Sequence, residues 1–303
     1  MESIFKIIFQ DGEFMSKESS ILGVSIDTIF TVFTTIAIFV LGVFIERKAE
    51  KKKEKKRLNQ LEEYFIKLIE LSEPAVLRQA DAFKEFSDKL LEKKEQHLHL
   101  LDISSFSMEP IKEIDKKDLF AIFIKTKKGD VGLKTELYRK LFGNIEHIDN
   151  IKNSYKETYR VFMEKFYKFQ DDYNEALKVT SEAYDNMLTY NQANKINPAA
   201  DPFLLRLDRI RAKWTALEKA GIDFRDRYVA KENYLEPVRI LCRESVGDQR
   251  AVYVLKHIME SIYAFENMEE LKKFHSDHFK LDSETLKKSV TEIKSCLKAF
   301  KEM

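Results

Sequence analysis

Apolar positions in this chain follow two patterns: one unbroken run near the start, then a long series of three- and four-residue steps. The run is Ile21 to Ile45, ILGVSIDTIFTVFTTIAIFVLGVFI, in which Asp27 is the one charge. The uncharged part, 28–45, would span about 27 Å as a helix, close to the roughly 30 Å of a bilayer's hydrocarbon core. It predicts a single transmembrane helix over 21–45, preceded by a short extracytoplasmic segment over 1–20. That segment does not read as a cleavable signal, because Glu2 follows Met1 and the run ends in Ile45-Glu46-Arg47 without a small-residue cleavage site.

The stepped pattern predicts helices over nearly all the rest. No breaker follows Ile45, so the helix is expected to continue through a basic juxtamembrane stretch, 46–71, on Leu58, Leu61, Phe65 and Leu68. Pro74 should break or kink it, with Ser72 as a new N-cap. The next helix, on Val76, Ala80, Phe83 and Leu90, should end near Glu95. Leu119 to Ile124 is a short apolar run that periodicity alone leaves open between strand and helix. Asp115 as a cap and Gly129 as a stop favour a short helix. A helix from Val131 is expected to stop at Gly143-Asn144.

The clearest seam follows: Tyr155, Tyr159, Phe162, Phe166, Phe169, Tyr173, Ala176, Thr180, Ala183, Met187 and Tyr190, in steps of four and three. A parallel stripe of Met163, Tyr167, Leu177, Tyr184 and Leu188 widens the apolar face, which suits a bundle helix better than a two-stranded coiled coil. Asn197 to Pro202 predicts a chain reversal, and Phe203 to Ala220 a helix packing back on the seam and ending at Gly221. A helix over 223–245 should be kinked by Pro237. Asp248 should cap another to about Glu269, and Asp282 or Ser283 a last one to Ala299. The predicted fold is all-α: one N-terminal transmembrane helix, then an elongated cytoplasmic helical domain over 72–303 with coiled-coil-like long helices.

Composition agrees. Eight glycines and five prolines in 303 residues are too few for a turn-rich β fold or a glycine-lined nucleotide loop, and two cysteines imply no disulfide framework. Charge sets a direction. Two basic residues precede the run, whereas Arg47, Lys48, Lys51, Lys52, Lys53, Lys55, Lys56 and Arg57 follow it. Basic flanks stay cytoplasmic, so the N-terminus is expected outside and the C-terminal domain inside. The same cations would lie against anionic lipid headgroups. The remainder of the chain is nearly neutral, and nucleic acid is not an expected partner. The abundance of Lys, Ile and Phe suggests an AT-rich genome and a bacterial inner membrane.

Chemistry is thin. Asp27, Thr31 and Thr35 share one face of the span, with Thr34 and Gly42 beside it. Such a stripe serves helix association. Asp27 alone would also serve as a cap at the helix N-terminus, and both roles stay open. His275, Asp277 and His278 lack a third or fourth metal ligand, and His97 and His99 point apart; all four His are expected to be exposed. Arg206, Arg209, Arg211 and Lys213, around Asp208 and Trp214, form a basic cluster able to bind phosphate or a nucleotide, or else a solvated face with an Asp208–Arg211 pair. Neither a metal nor a cofactor is expected. Arg250 and His257, in RAVYVLKH, resemble the Arg-x4–6-His motif of HEPN ribonucleases. The resemblance implies an all-α dimer with both residues at the scissile phosphate. It covers these two residues only, and Ala251 departs from the polar residue usual after the Arg.

The expected role is non-enzymatic: a membrane-anchored scaffold, sensor or assembly protein acting through helix–helix contacts. Its expected partners are the lipid bilayer, further copies of the chain and a cytoplasmic protein. A membrane-disrupting, pore-forming effector of a toxin or antiviral defence system is the alternative. A membrane-tethered HEPN-like ribonuclease is a third.

Overall fold

The computed structural model describes residues 20–21, 24–94, 97–103, 107–197, 200–222 and 226–303, with side chains from Phe30 onward except that of Glu218. Two-residue strands β1 (Ser20–Ile21) and β2 (Val24–Ser25) pair antiparallel, Ser20 with Ser25 and Ile21 with Val24. Everything else regular is helical: α1 (Ile26–Leu90), α2 (Glu109–Lys112), α3 (Lys116–Phe120), α4 (Val131–Ala193), α5 (Pro202–Lys219), α6 (Arg227–Ala230), α7 (Glu236–Glu244) and α8 (Gln249–Glu302). Single π-helical turns follow α3, at Ala121–Lys125, and α6, at Lys231–Leu235. The chain divides into two compact units between Leu61 and Glu62.

In the first unit the helix starts at Ile26, not at Ile21, because the short β pairing occupies the residues before it. From Ile26 to Ile45 it still covers about 30 Å, a bilayer's core. It is long and apolar enough to cross a membrane, and its apolar window is wholly unburied by protein. Phe33 is 73% exposed and Phe39 70%.

The second unit is a bundle built on α4 and α8, which run antiparallel along each other. The last part of α1, from Glu62 on, lies beside one half of that pair. Phe65 meets Phe123 and Phe142 at ring-centroid distances of 5.3 and 5.9 Å, and Phe123 meets Phe300 at 4.8 Å. Further on, Phe83 and Phe86 close on Tyr155, Tyr159, Phe162 and Phe279 at 5.1 to 6.0 Å. Near its end Ser87 and Ser276, both buried, exchange side-chain and main-chain hydrogen bonds at 2.9–3.0 Å, so the α1 and α8 backbones come close. The chain then returns along α4. Buried Gln79 holds it, donating to the Leu101 carbonyl and accepting from the Ile103 amide. Tyr155 donates to Asp102, and Lys112 pairs with Asp149. Past the end of α1, helices α5 to α7 take its place beside α4 and α8. Aspartates start the helices: Asp115, Asp130, Asp226 and Asp248 each accept a hydrogen bond from a first-turn amide of α3, α4, α6 and α8.

Three expected breaks are absent, at Pro74, at Gly143 and between Glu269 and Asp282, because packing outweighs local preference. Pro74 lies inside α1. Pro74 and Glu70 are exposed, while buried Ile69, Ala75 and Val76 hold the flanking turns. Ser72 therefore caps nothing, and α1 ends at Leu90, short of Glu95. Gly143 lies inside α4, where the roughly 1 kcal/mol it costs is set against burial of Leu141, Ile145 and Ile148. α8 runs on past Glu269, and Asp282 and Ser283 are buried mid-helix residues rather than caps. Pro237 does act. The π turn immediately before it supplies a wider hydrogen-bond step, from the Glu236 amide to the Lys231 carbonyl. The run 119–124 is helical, its first two residues in α3 and the rest in the π turn, and its far end is closed by buried Lys134, whose ammonium donates to the Ile124 and Lys127 carbonyls.

Along the seam, Tyr155, Phe162, Phe166, Tyr173, Ala176, Thr180 and Met187 are buried, as is Tyr184 of the parallel stripe. Tyr159, Phe169 and Ala183 are half-buried. Tyr190 departs from the expectation: it is exposed, and Asn191 takes the buried position at that end.

Candidate functional site

One of the bundle's cavities, of about 480 Å³, lies where α5 and α6 replace α1 beside α4. α4 lines it with Gln170, Tyr173, Asn174, Leu177 and Ser181, whose steps of three and four place them on one face. α5 adds Arg211 and Trp214, α6 adds Arg227 and Ala230, and the π turn adds Tyr234. Local chemistry sets each wall. Asp226 caps α6 through the Tyr228 and Val229 amides at 2.8 and 3.4 Å, which fixes Arg227 at the first helical position. The π turn inserts an extra residue per turn ahead of Pro237, and Tyr234 rides on it opposite Trp214, 6.0 Å away with the ring planes 34° apart.

Among the described residues, the lining carries two guanidinium groups, those of Arg211 and Arg227. Arg211 stacks 4.2 Å over the Tyr184 ring and lies 3.3 Å from Asp185 and 3.4 Å from the Ser181 hydroxyl. Arg227 is buried against the Phe166 ring at 5.4 Å and the Met268 sulfur at 3.2 Å. Burial pushes the Tyr234 phenol up, so it stays a neutral hydrogen-bonding group. Burial, and the hydrogen bond it donates to Asp208, push Tyr184 up to about 12.

Of the basic cluster, only Arg211 faces this cavity, together with Trp214. The expected Asp208–Arg211 pair is not formed: Asp208 accepts from Tyr184 at 2.6 Å, and Arg211 turns to Asp185. Arg206 pairs with Glu244, and Arg209 and Lys213 are exposed. Arg227 and Tyr234 escape a sequence reading, because they join Arg211 and Trp214 only through the return of the chain after Gly221.

Arg250 and His257 are not brought together. Arg250 grips Asp201 through both terminal nitrogens, at 2.6 and 2.9 Å, and also Asp248 at 2.6 Å. His257 lies two turns further along α8, bonded to Glu260 at 2.7 Å, and lines a different groove. His97 and His99 are exposed as expected, but His278 is half-buried and His275 is buried. His275 packs 5.0 Å from the Phe162 ring, and burial, with the nearby positive charge of His278 and Lys165, lowers its pKa to about 4. Among the described residues no group of three or more His, Cys, Asp or Glu is placed to hold a metal ion.

In the apolar part of α1, Thr34 and Thr35 donate to the Phe30 and Thr31 carbonyls at 2.8 and 2.7 Å. Among the described residues, nothing beyond the helix's own backbone lies within 4 Å of the position a Cβ would take on Gly42. Asp27 is the second residue of α1, and its side chain lies outside the described residues. The basic residues Arg47 to Arg57 are exposed, with Arg57 paired to Glu54 at 2.8 Å.

Comparison with protein-family models, with curated proteins and with solved structures finds no match.

Proposed function

We propose that this chain is a single-pass membrane protein, N-terminus outside, whose cytoplasmic helical bundle works as a sensor or scaffold through contact with a partner or a second copy. The observation that carries the reading is α1. It is an unbroken helix from Ile26 to Leu90 whose first part is apolar and unburied by protein, while Phe65, Phe83 and Phe86 in its last part are bundle core. The basic stretch Arg47–Arg57 after the apolar run supports the inward orientation. Thr31, Thr34, Thr35 and Gly42 supply the polar and small positions by which spans associate.

Fractionation and protease protection test this. The expressed full chain should stay with membranes after alkaline carbonate extraction, and its bundle should be digested only from the cytoplasmic side. Recovery in the soluble fraction, or digestion only from outside, overturns it. In detergent the full chain should run as an oligomer that Gly42→Leu weakens; a monomer would refute association through the span. Loss of membrane potential on expression, abolished by Asp27→Ala, would replace the scaffold reading with that of a membrane-disrupting effector.

A further inference from the structure

Past the end of α1, helices α5 to α7 cover one side of the α4–α8 pair. Among the described residues the other side is lined by α4 and α8 alone, in two grooves of about 450 and 380 Å³ that meet at Val179. From Phe169 to Met187 the track is about 27 Å long, the length of a five-turn helix. Its floor is apolar: Phe169, Ala176, Val179 and Ala183 of α4 lie beside Val254 and Ala264 of α8. Phe169, Val179 and Ala183 are only half-buried, so part of the seam's apolar surface remains open to water. Tyr253 and Tyr263 stand along the α8 side, 52% and 56% exposed. Apolar positions three and four apart on both walls form a trough that receives one face of a further helix. Charge decides which helix. Asp172, Glu175 and Glu182 line the α4 side and Glu260 the α8 side, all exposed. Arg250, in the same lining, already holds Asp201 and Asp248. His257 bonds to Glu260 at 2.7 Å. Lys178 and Lys256, outside the lining, lie 3.8 and 4.0 Å from Glu175 and Glu260, in exposed pairs that contribute little. The same face of a second copy would set acid against acid. Residues 1–20, with four acids against two lysines, fit no better. The basic stretch 46–57 has the charge but no apolar stripe, Ala49 being its one apolar residue.

We propose that this face of the bundle docks a basic amphipathic helix of a partner protein. The partner's apolar stripe would lie on the floor between α4 and α8, with its lysines or arginines over Asp172, Glu175, Glu182 and Glu260. The proposal rests on the reading of the bundle as a contact-making sensor or scaffold, and adds which surface makes the contact and with what chemistry. It does not depend on the membrane helix, since every lining residue lies between 169 and 267.

The probe is a peptide of about 18 leucines and lysines, long enough for five helical turns, with its leucines three and four residues apart. Its controls are the same peptide with glutamate for lysine, and a scrambled order of the same residues. Both native cysteines are buried, so a polarity-sensitive fluorophore is placed in the groove at Asn186→Cys and, for comparison, on α5 at exposed Lys213→Cys. With the full chain in a neutral detergent, the leucine–lysine peptide should shift the Asn186 label to the blue, saturably below about 100 μM, and leave the Lys213 label unchanged. Both control peptides should bind about tenfold more weakly or worse, and added salt should weaken the probe. Glu175→Lys with Glu182→Lys should weaken it about tenfold at an unchanged melting temperature. Glu284→Lys with Glu302→Lys, the same change of net charge at exposed acids outside the grooves, should leave binding as it was. No saturable shift at Asn186, an equal shift at Lys213, equal binding of either control, or full binding after the Glu175 and Glu182 substitutions overturns the proposal. So does a shift produced by unlabelled chain without peptide, which would make this face a self-interface. A chain that stays with membranes as an oligomer yet seats no peptide would remove this proposal and leave the membrane scaffold reading. One that seats the peptide but fractionates as soluble would do the reverse.

Discussion

The ion pair of Arg250 with Asp201 should be the joint that holds the far end of the bundle, and replacing Asp201 tests it. Its carboxylate, 6% exposed, accepts from both Arg250 nitrogens, from the Asn191 amide at 2.9 Å and from the Leu204 main-chain amide at 3.1 Å. One side chain thus ties the end of α4, the start of α5 and the start of α8. The hydrogen bonds from Arg250, assisted by those from Asn191 and Leu204, hold the Asp201 pKa at about 2 against an ordinary 3.8. A native pKa below the unfolded one contributes stability above the unfolded value and loses it as pH falls through the native value. The contribution near pH 7 is therefore about 2 kcal/mol. Asp201→Asn keeps a good N-cap and removes the charge, so it should cost about 2 kcal/mol. Asp201→Ala also removes the cap, for about 3 kcal/mol in total. For a bundle of this size each kcal/mol moves the melting temperature by about 2–4 °C, so the drops should be about 4–8 °C and 6–12 °C. Circular dichroism of the full chain in detergent measures them. The gap between wild type and Asp201→Asn should be constant from pH 7 to 5 and should have lost more than half its size by pH 2.5. A shift under about 1 °C at pH 7, or a gap unchanged at pH 2.5, would refute the reasoning. The same joint bears on the ribonuclease resemblance: an activity lost in Arg250→Gln together with a fallen melting temperature would report folding, not chemistry.

Other consequences follow from the interior. His275 is held near pKa 4 by burial, with His278 and Lys165 adding to it, against an ordinary 6.5. The stability gained by keeping it neutral is complete above about pH 6.5 and falls away as pH drops towards 4, by about 3 kcal/mol across that window. His275→Leu should flatten the melting temperature over that range, and an unchanged slope would count against the assignment. Phe279 is fully buried against Phe83 and Phe86, so Phe279→Ala should cost about 3–5 kcal/mol in urea unfolding, and a loss below about 1 kcal/mol would contradict the packing. Burial pushes the Cys242 thiol up to about 12 and Cys296 upward as well. Neither should react with a thiol reagent at pH 8 until the chain is unfolded, which mass spectrometry of labelled protein would detect.

Amphipathic period and a long apolar run were enough, in the sequence alone, to determine an all-α chain with one membrane-length helix and the buried face of α4. Those signals are local: residues four apart share a helix face whatever surrounds them. The caps Asp115 and Asp248 were legible for the same reason, since a cap acts on amides two or three residues away. Helix ends were not. Pro74, Gly143 and Ser283 carry breaking or capping preferences worth about 1–3 kcal/mol, and burial of side chains on either side outweighs them, a balance visible only when the partner helix is in place. His275 looked like a surface residue until Phe162 and Phe279 closed over it. The candidate site divides the same way. Arg211 and Trp214 stood out as a basic cluster with an aromatic, but which arginine turns inward was decided by Asp185, Tyr184 and Glu244. Arg227 and Tyr234 reached the cavity only because the chain reverses twice. Membership of a cavity is a relation between helices distant in sequence, and no local pattern encodes it.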